Sequence, residues 1–206
     1  RTVLAMQTES GRTAINLTLH ARESYFVILS HQASSNSNWI TNSVEQKIQT
    51  LSTPWQVKFD ETVGGPSEPV TFDKFGDWTK SSDPRIKYFS GTAVATTSFQ
   101  MGKPNKQARY ILNVPLLNTT AEIIINGQSA GILWCSPYSI DITRFVKKGE
   151  NLLELRIANS LWNRLVGDAN QNESERIYWQ THTLAKTTDV LVPSGLGDNI
   201  TITISK

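Results

Sequence analysis

Two aromatic-rich stretches carry the residue types that could meet a ligand: Trp134-Cys135-Ser136-Pro137-Tyr138, and Trp162-Asn163-Arg164 with Asp168 four positions on. Large flat rings offer an apolar partner to the C–H face of a sugar, while Arg, Asn and Asp can fix its hydroxyls. Both stretches fall at the ends of strand-like runs, where the loops of a sandwich gather and function concentrates. The six residues Trp134, Tyr138, Trp162, Asn163, Arg164 and Asp168 are therefore the candidate carbohydrate-binding set. The opposing reading makes Trp134 and Trp162 plugs for the core or for a domain interface, since Trp is usually well buried. In that reading Arg164 and Asp168 pair across a loop and brace it.

Catalytic constellations are harder to find. Glycoside hydrolysis needs two carboxyl groups about 5–9 Å apart, and no spacing in the chain certifies such a pair. Glu122 and Glu154 read as outward strand residues bearing solvated charge. Asp141 reads as a turn cap. No Gly-x-Ser-x-Gly elbow is present to expose a serine nucleophile. Cys135 has no base near it in sequence and reads as a buried or half-buried thiol. No catalytic residue is assigned.

Metal and redox chemistry are similarly weak. One cysteine cannot build a disulfide framework or a multi-cysteine zinc site, and His20, His31 and His182 lack ligand spacing. No cofactor is expected. A structural calcium is conceivable near Asp73, Asp77 and Asp83, but their spacing matches no ligand motif.

The bulk of the chain narrows the classes further. Its 206 residues are 38% hydrophobic with six Trp, enough for a packed core. Net charge is +2, and the basic residues are scattered with Lys147-Lys148 as the one adjacent pair. Nucleic acid is therefore not an expected partner. No apolar run approaches the roughly 18 residues of a membrane span, so membrane insertion is not expected either.

The elements that must position these residues are short strands. Candidates are Glu45–Thr50, Trp55–Phe59, Val70–Phe72, Gly91–Phe99, Arg109–Val114, Ala121–Asn126, Gly131–Trp134, Leu152–Asn159 and Ile200–Ile204. In Leu153-Glu154-Leu155-Arg156-Ile157 apolar and charged residues alternate, the mark of a sheet with one wet face. Asn126-Gly127 predicts a type I′ hairpin that pairs Ala121–Ile125 with Ala130–Trp134. Asp141 to Val146 reads as one helical turn, followed by Gly149 as its stop. No apolar period of 3.6 persists for three turns, so only short helical turns are expected. The pattern argues an all-β sandwich. Near the start, Thr13–Leu19 and Tyr25–Leu29 read as strands and Ala33–Asn38 as a polar linker. Residues 1–40 are then the tail of a preceding β-domain, or extra strands plus the linker, and residues 41–206 form the main domain.

The order of Asn126-Gly127, Gly131, Pro137-Tyr138, Asp141-Ile-Thr, Gly149-Glu-Asn, Leu153 and Asn159 resembles the galactose-binding-like jelly roll of family 2 glycoside hydrolases. A narrower set is similar to the C-terminal module of family 106 α-L-rhamnosidase-type enzymes: Trp55-Gln-Val-Lys-Phe, Gly64-Gly-Pro, Trp78, Ile86-Lys-Tyr-Phe-Ser-Gly-Thr-Ala, Leu133-Trp134, Trp162-Asn-Arg-Leu-Val-Gly-Asp and Ser194-Gly-Leu. The resemblance implies a jelly-roll β-sandwich serving as an accessory, non-catalytic module of a larger exported hydrolase. Its catalytic carboxylates would lie in a separate barrel domain. Its partners would be that catalytic domain in the same chain and a carbohydrate. The alternatives are a purely structural brace without sugar affinity and, last, a self-sufficient β-sandwich glycosidase.

Overall fold

The computed structural model describes residues 6–9, 12–15, 24, 26, 46–52, 54–179, 182 and 184–205. Within these the strands are β1 (Met6–Glu9), β2 (Arg12–Ile15), β3 (Gln46–Thr50), β4 (Trp55–Phe59), β5 (Val70–Phe72), β6 (Thr92–Met101), β7 (Arg109–Asn113), β8 (Leu116–Leu117), β9 (Thr119–Ile125), β10 (Gln128–Leu133), β11 (Ser139–Asp141), β12 (Gly149–Asn159), β13 (Gly195–Leu196) and β14 (Thr201–Ser205). Two short helices, α1 (Pro84–Lys87) and α2 (Trp162–Ala169), interrupt them. Tyr25–Leu29 and the linker Ala33–Asn38 lie outside the described residues, apart from Phe26.

Six strands form one sheet in the order β10-β9-β12-β6-β4-β5, and four form another in the order β11-β7-β14-β3. Every pairing is antiparallel. Period-two alternation sends one face of each strand inward. From the large sheet Val57, Phe59, Ala93, Ala95, Ile123, Ile125, Leu153, Leu155 and Ile157 turn in, and Tyr110, Leu112 and Ile202 come from the small one. All join a single core, so the architecture is the expected all-β sandwich. Each fully buried Leu or Ile contributes about 1.5–3 kcal/mol through removal of apolar surface from water.

The hairpin expectation holds in its centre. Asn126 and Gly127 have φ of 52° and 80°, the left-handed pair a type I′ turn requires. Pairing runs from Gln128↔Ile125 to Leu133↔Ala121 with a register shift between Ser129 and Gly131. Strand β10 therefore stops at Leu133 and leaves Trp134 beyond it.

One local expectation holds and one needs correction. Asp141 closes β11 opposite Ile111 and its carboxylate accepts from the Thr143 amide at 2.9 Å; the Ile142 carbonyl then accepts from the Phe145 and Val146 amides at 2.9 and 3.3 Å, the single capped turn expected. Asn151 sets its exit, because its side chain accepts from the Lys147 amide at 2.8 Å and donates to the Lys147 and Gly149 carbonyls at 2.9 and 3.0 Å. With those groups claimed, the intrahelical ladder cannot propagate. Arg164 and Asp168 lie on α2 rather than in a loop. Six of its eight residues, Asn163 to Asp168, are buried, so no wet stripe advertises the helix in the sequence.

Candidate functional site

Helix α2 starts just after β12. Asn159, the last residue of β12, accepts from the Gly91 amide at 2.9 Å and donates to the Phe89 carbonyl at 2.8 Å, which fixes where the chain leaves the sheet. The helix has no side-chain cap of its own. Instead the Ser90 hydroxyl, 74 positions earlier, accepts from the Arg164 amide at 3.0 Å. The same amide also donates to the Leu161 carbonyl at 3.1 Å, so the first turn is shared between its own carbonyl and a distant hydroxyl. Leu165 and Val166 then pack with Ala185, Tyr88 and Tyr178 in a second small core.

The polar residues of α2 face protein. Asn163 donates to the Val192 carbonyl at 2.7 Å and accepts from the Val192 amide at 2.8 Å. The Trp162 indole donates to the Val190 carbonyl at 3.0 Å. Arg164 and Asp168 form an ion pair at 3.1 Å whose side chains are 7% and 1% exposed. Neither the Arg164 Nε nor the Asp168 Oδ1 satisfies hydrogen-bond geometry, so this contact is held by charge and packing rather than by an aligned bond. The second carboxylate oxygen of Asp168 accepts from the Tyr178 amide at 3.0 Å. The guanidinium lies against Gly64 and Gly167, where an added Cβ would come within 3.2 and 2.5 Å of its terminal nitrogens.

Four of the six candidate residues are thus gathered on one helix that clamps Ser90 to Tyr178, Val190 and Val192. Trp134 and Tyr138 belong elsewhere, in the connection from β10 to β11. Tyr138 packs against the main core, and its carbonyl accepts from the Val114 amide at 2.9 Å. Trp134 stands 71% exposed. Cys135 between them is half-buried.

The acids are occupied in other ways. Glu122 and Glu154 flank Arg156 on the outer face of the large sheet, at 3.6 and 2.8 Å. Asp77 accepts from the Thr79 amide and hydroxyl and from the Ser194 amide, at 3.0, 2.7 and 3.1 Å. Asp83 caps α1 through the Arg85 amide and pairs with the Arg85 guanidinium at 2.7 Å. The hydrogen bond from Arg85 holds the Asp83 carboxyl below its usual range. At Asp141 burial pushes the carboxyl up, but hydrogen bonds from Thr143 and the neighbouring Arg109 outweigh it and hold it low. Among the described residues no group of three His, Cys, Asp or Glu is placed to hold a metal ion.

Around α2 large apolar residues stand in water among exposed polar ones such as Glu173, Glu175, Arg176 and Lys186. Leu161, Ile177, Trp179, Leu184 and Val190 are all exposed, Trp179 and Val190 by more than four-fifths at 82% and 83%. The neighbours Tyr178, Ala185 and Leu191 turn inward onto α2. Sequence reasoning missed Ser90 and these exposed apolar side chains. The only available signal was the density of large apolar residues between Leu161 and Leu191.

Fold and site together define an antiparallel β-sandwich with one helix-braced end. No family model matches the chain. Over 133 residues it is 39% identical to a protein of Formosa agariphila that carries the name of a beta-glucuronidase, covering 61% of this chain and 11% of that protein. A rhamnosidase from a Novosphingobium species superposes with a TM-score of 0.77 at 30% identity, over 97% of this chain and 19% of that one. A beta-glucuronidase from Dictyoglomus thermophilum shares the fold at a TM-score of 0.58 and 17% identity, over 80% of this chain and 29% of that one. The chain thus spans only a small part of the relatives it matches, and those relatives are named as glycoside hydrolases. Among the described residues no helix is long and apolar enough to cross a membrane.

Proposed function

We propose that the chain is a non-catalytic, galactose-binding-like jelly-roll module of a larger exported glycoside hydrolase of the family 106 rhamnosidase type. It packs on the catalytic domain of the same chain and helps that domain contact a polysaccharide. The observation that carries this reading is the superposition on a rhamnosidase along 97% of this chain and only 19% of that one. The highly exposed Trp179, Leu184 and Val190 beside α2 support the packing role, because large apolar side chains left in water gain from being covered by a partner.

In the carbohydrate contact, Trp134 supplies the exposed ring and Tyr138 closes its base. Trp162, Asn163, Arg164 and Asp168 lie apart from that ring on α2 and contribute by bracing the module from within. Calorimetric titration of the chain with rhamnose-containing oligosaccharides tests this. Trp134→Ala should weaken binding about tenfold or more, since an apolar anchor contributes roughly 1.5–3 kcal/mol, while leaving the thermal midpoint unchanged.

A second reading, a structural brace without sugar affinity, is favoured by the interior partners of Asn163, Arg164 and Asp168. Absence of heat across a broad oligosaccharide panel, together with an unaltered Trp134→Ala variant, would select it.

A further inference from the structure

A cleft of about 390 Å³ that no residue of α2 lines opens where three segments meet: the end of β3, the loop after β5, and the loop between β13 and β14. Its volume sits at the small end of the roughly 300–1,000 Å³ of ligand sites. The walls are held in place by core elements. The Leu51 amide donates to the Ile200 carbonyl at 2.9 Å, tying the first wall to the third. Trp55 pairs with Phe72 across the sheet, and Trp55 and Phe75 pack at 4.7 Å between ring centroids. Asn199 turns the third wall with φ of 70°.

The chemistry of the lining is divided. Leu51, Trp55, Phe75 and Ile200 form an apolar base, and Asp73, Lys74, Asp198 and Asn199 stand on the rim. Unlike Asp77, Asp83 and Asp141, which hydrogen bonds and ion pairs occupy, the side chains of Asp73, Lys74, Asp198 and Asn199 make no hydrogen bond or ion pair with any described residue.

We propose that this cleft is a binding subsite for one neutral monosaccharide residue, seated by its C–H face on the Leu51–Trp55–Phe75 base and held through its hydroxyls by Asp73, Asp198, Lys74 and Asn199. A carboxylate accepts hydrogen bonds from neighbouring hydroxyls, and Lys and the Asn amide donate to others. Two carboxylates against one ammonium leave the rim net negative, so the site discriminates against uronates by like-charge repulsion. The subsite rests on the reading that the chain meets carbohydrate, but its lining includes neither Trp134 nor any residue of α2.

The test is an amide chemical-shift titration of the isotope-labelled 206-residue chain with methyl α-L-rhamnoside, methyl β-D-glucoside and methyl β-D-glucuronide. A neutral glycoside should shift the amides of Ser52, Lys74, Gly197 and Asn199, and the glucuronide should bind about tenfold or more weakly, as one unfavourable charge contact implies. Asp198→Asn should weaken the neutral glycoside about tenfold, the usual scale for a hydrogen bond to a charged group. Asn199→Gly keeps the left-handed turn while removing the amide, and should weaken it as well. Both variants should keep the wild-type thermal midpoint. Shifts confined to Trp134 and α2 would overturn the cleft while upholding the first site. No shift with any glycoside up to its solubility, or equal affinity for the glucuronide, would also overturn it.

Discussion

The ion pair inside α2 separates a bracing role from a binding role. Arg164 and Asp168 have side chains 7% and 1% exposed at 3.1 Å, and the guanidinium lies against Gly64 and Gly167. Truncating one partner strands a charge in a medium that cannot solvate it, which costs about 3–5 kcal/mol. In a domain of this size that lowers the thermal midpoint by roughly 6–20 °C. Arg164→Ala should show this loss in urea unfolding, as a lower midpoint with an unchanged slope. Asp168→Ala should lose as much or more, because it also orphans the Tyr178 amide that its carboxylate accepts at 3.0 Å. The apolar double replacement Arg164→Met with Asp168→Leu should recover a large part of the loss, since no unpaired charge remains. Wild-type stability in Arg164→Ala, with altered sugar affinity, would refute the reasoning and return Arg164 to the ligand.

Three further outcomes test the frame that carries the site. Asn151→Ala removes a fully buried side chain that bridges Asn126, Lys147 and Gly149; equilibrium unfolding should show a loss of about 2–4 kcal/mol for the orphaned groups. Gly195 has φ of 106°, and an added Cβ would sit 2.9 Å from the Trp78 indole, so Gly195→Ala should cost about 1–3 kcal/mol in the same assay. Asp141 is held below the ordinary carboxylate range, so its contribution is present above that range and is lost as pH falls through the lowered value. With Arg109 and Asp141 side chains 59% and 42% exposed, solvent screening keeps that contribution under about 1 kcal/mol. Acid titration of stability in Arg109→Gln should therefore show a smaller acid-side loss than wild type.

The alternation of Leu153, Leu155 and Ile157 with Glu154 and Arg156 was enough to place β12 and its wet face, because strand periodicity is a local property of backbone pleating. Asn126-Gly127 likewise announced its turn, since few residue pairs tolerate two positive φ values. What the sequence alone determined about this protein is therefore its longer strands, its principal hairpin and its class as an all-β sandwich, while the short β8, β11 and β13 carry too few residues for a period-two pattern to mark them. The role of α2 was decided only by tertiary structure. Its cap comes from Ser90 and its clamp from Val192, partners 74 and 29 positions away, and no local pattern encodes a hydrogen bond across that distance. The same holds for the flank cleft. Thr50, Asp73 and Asp198 share one wall-to-wall opening only because β3 pairs with β14 and β4 with β5, and such proximity is a property of the folded sheets rather than of spacing along the chain.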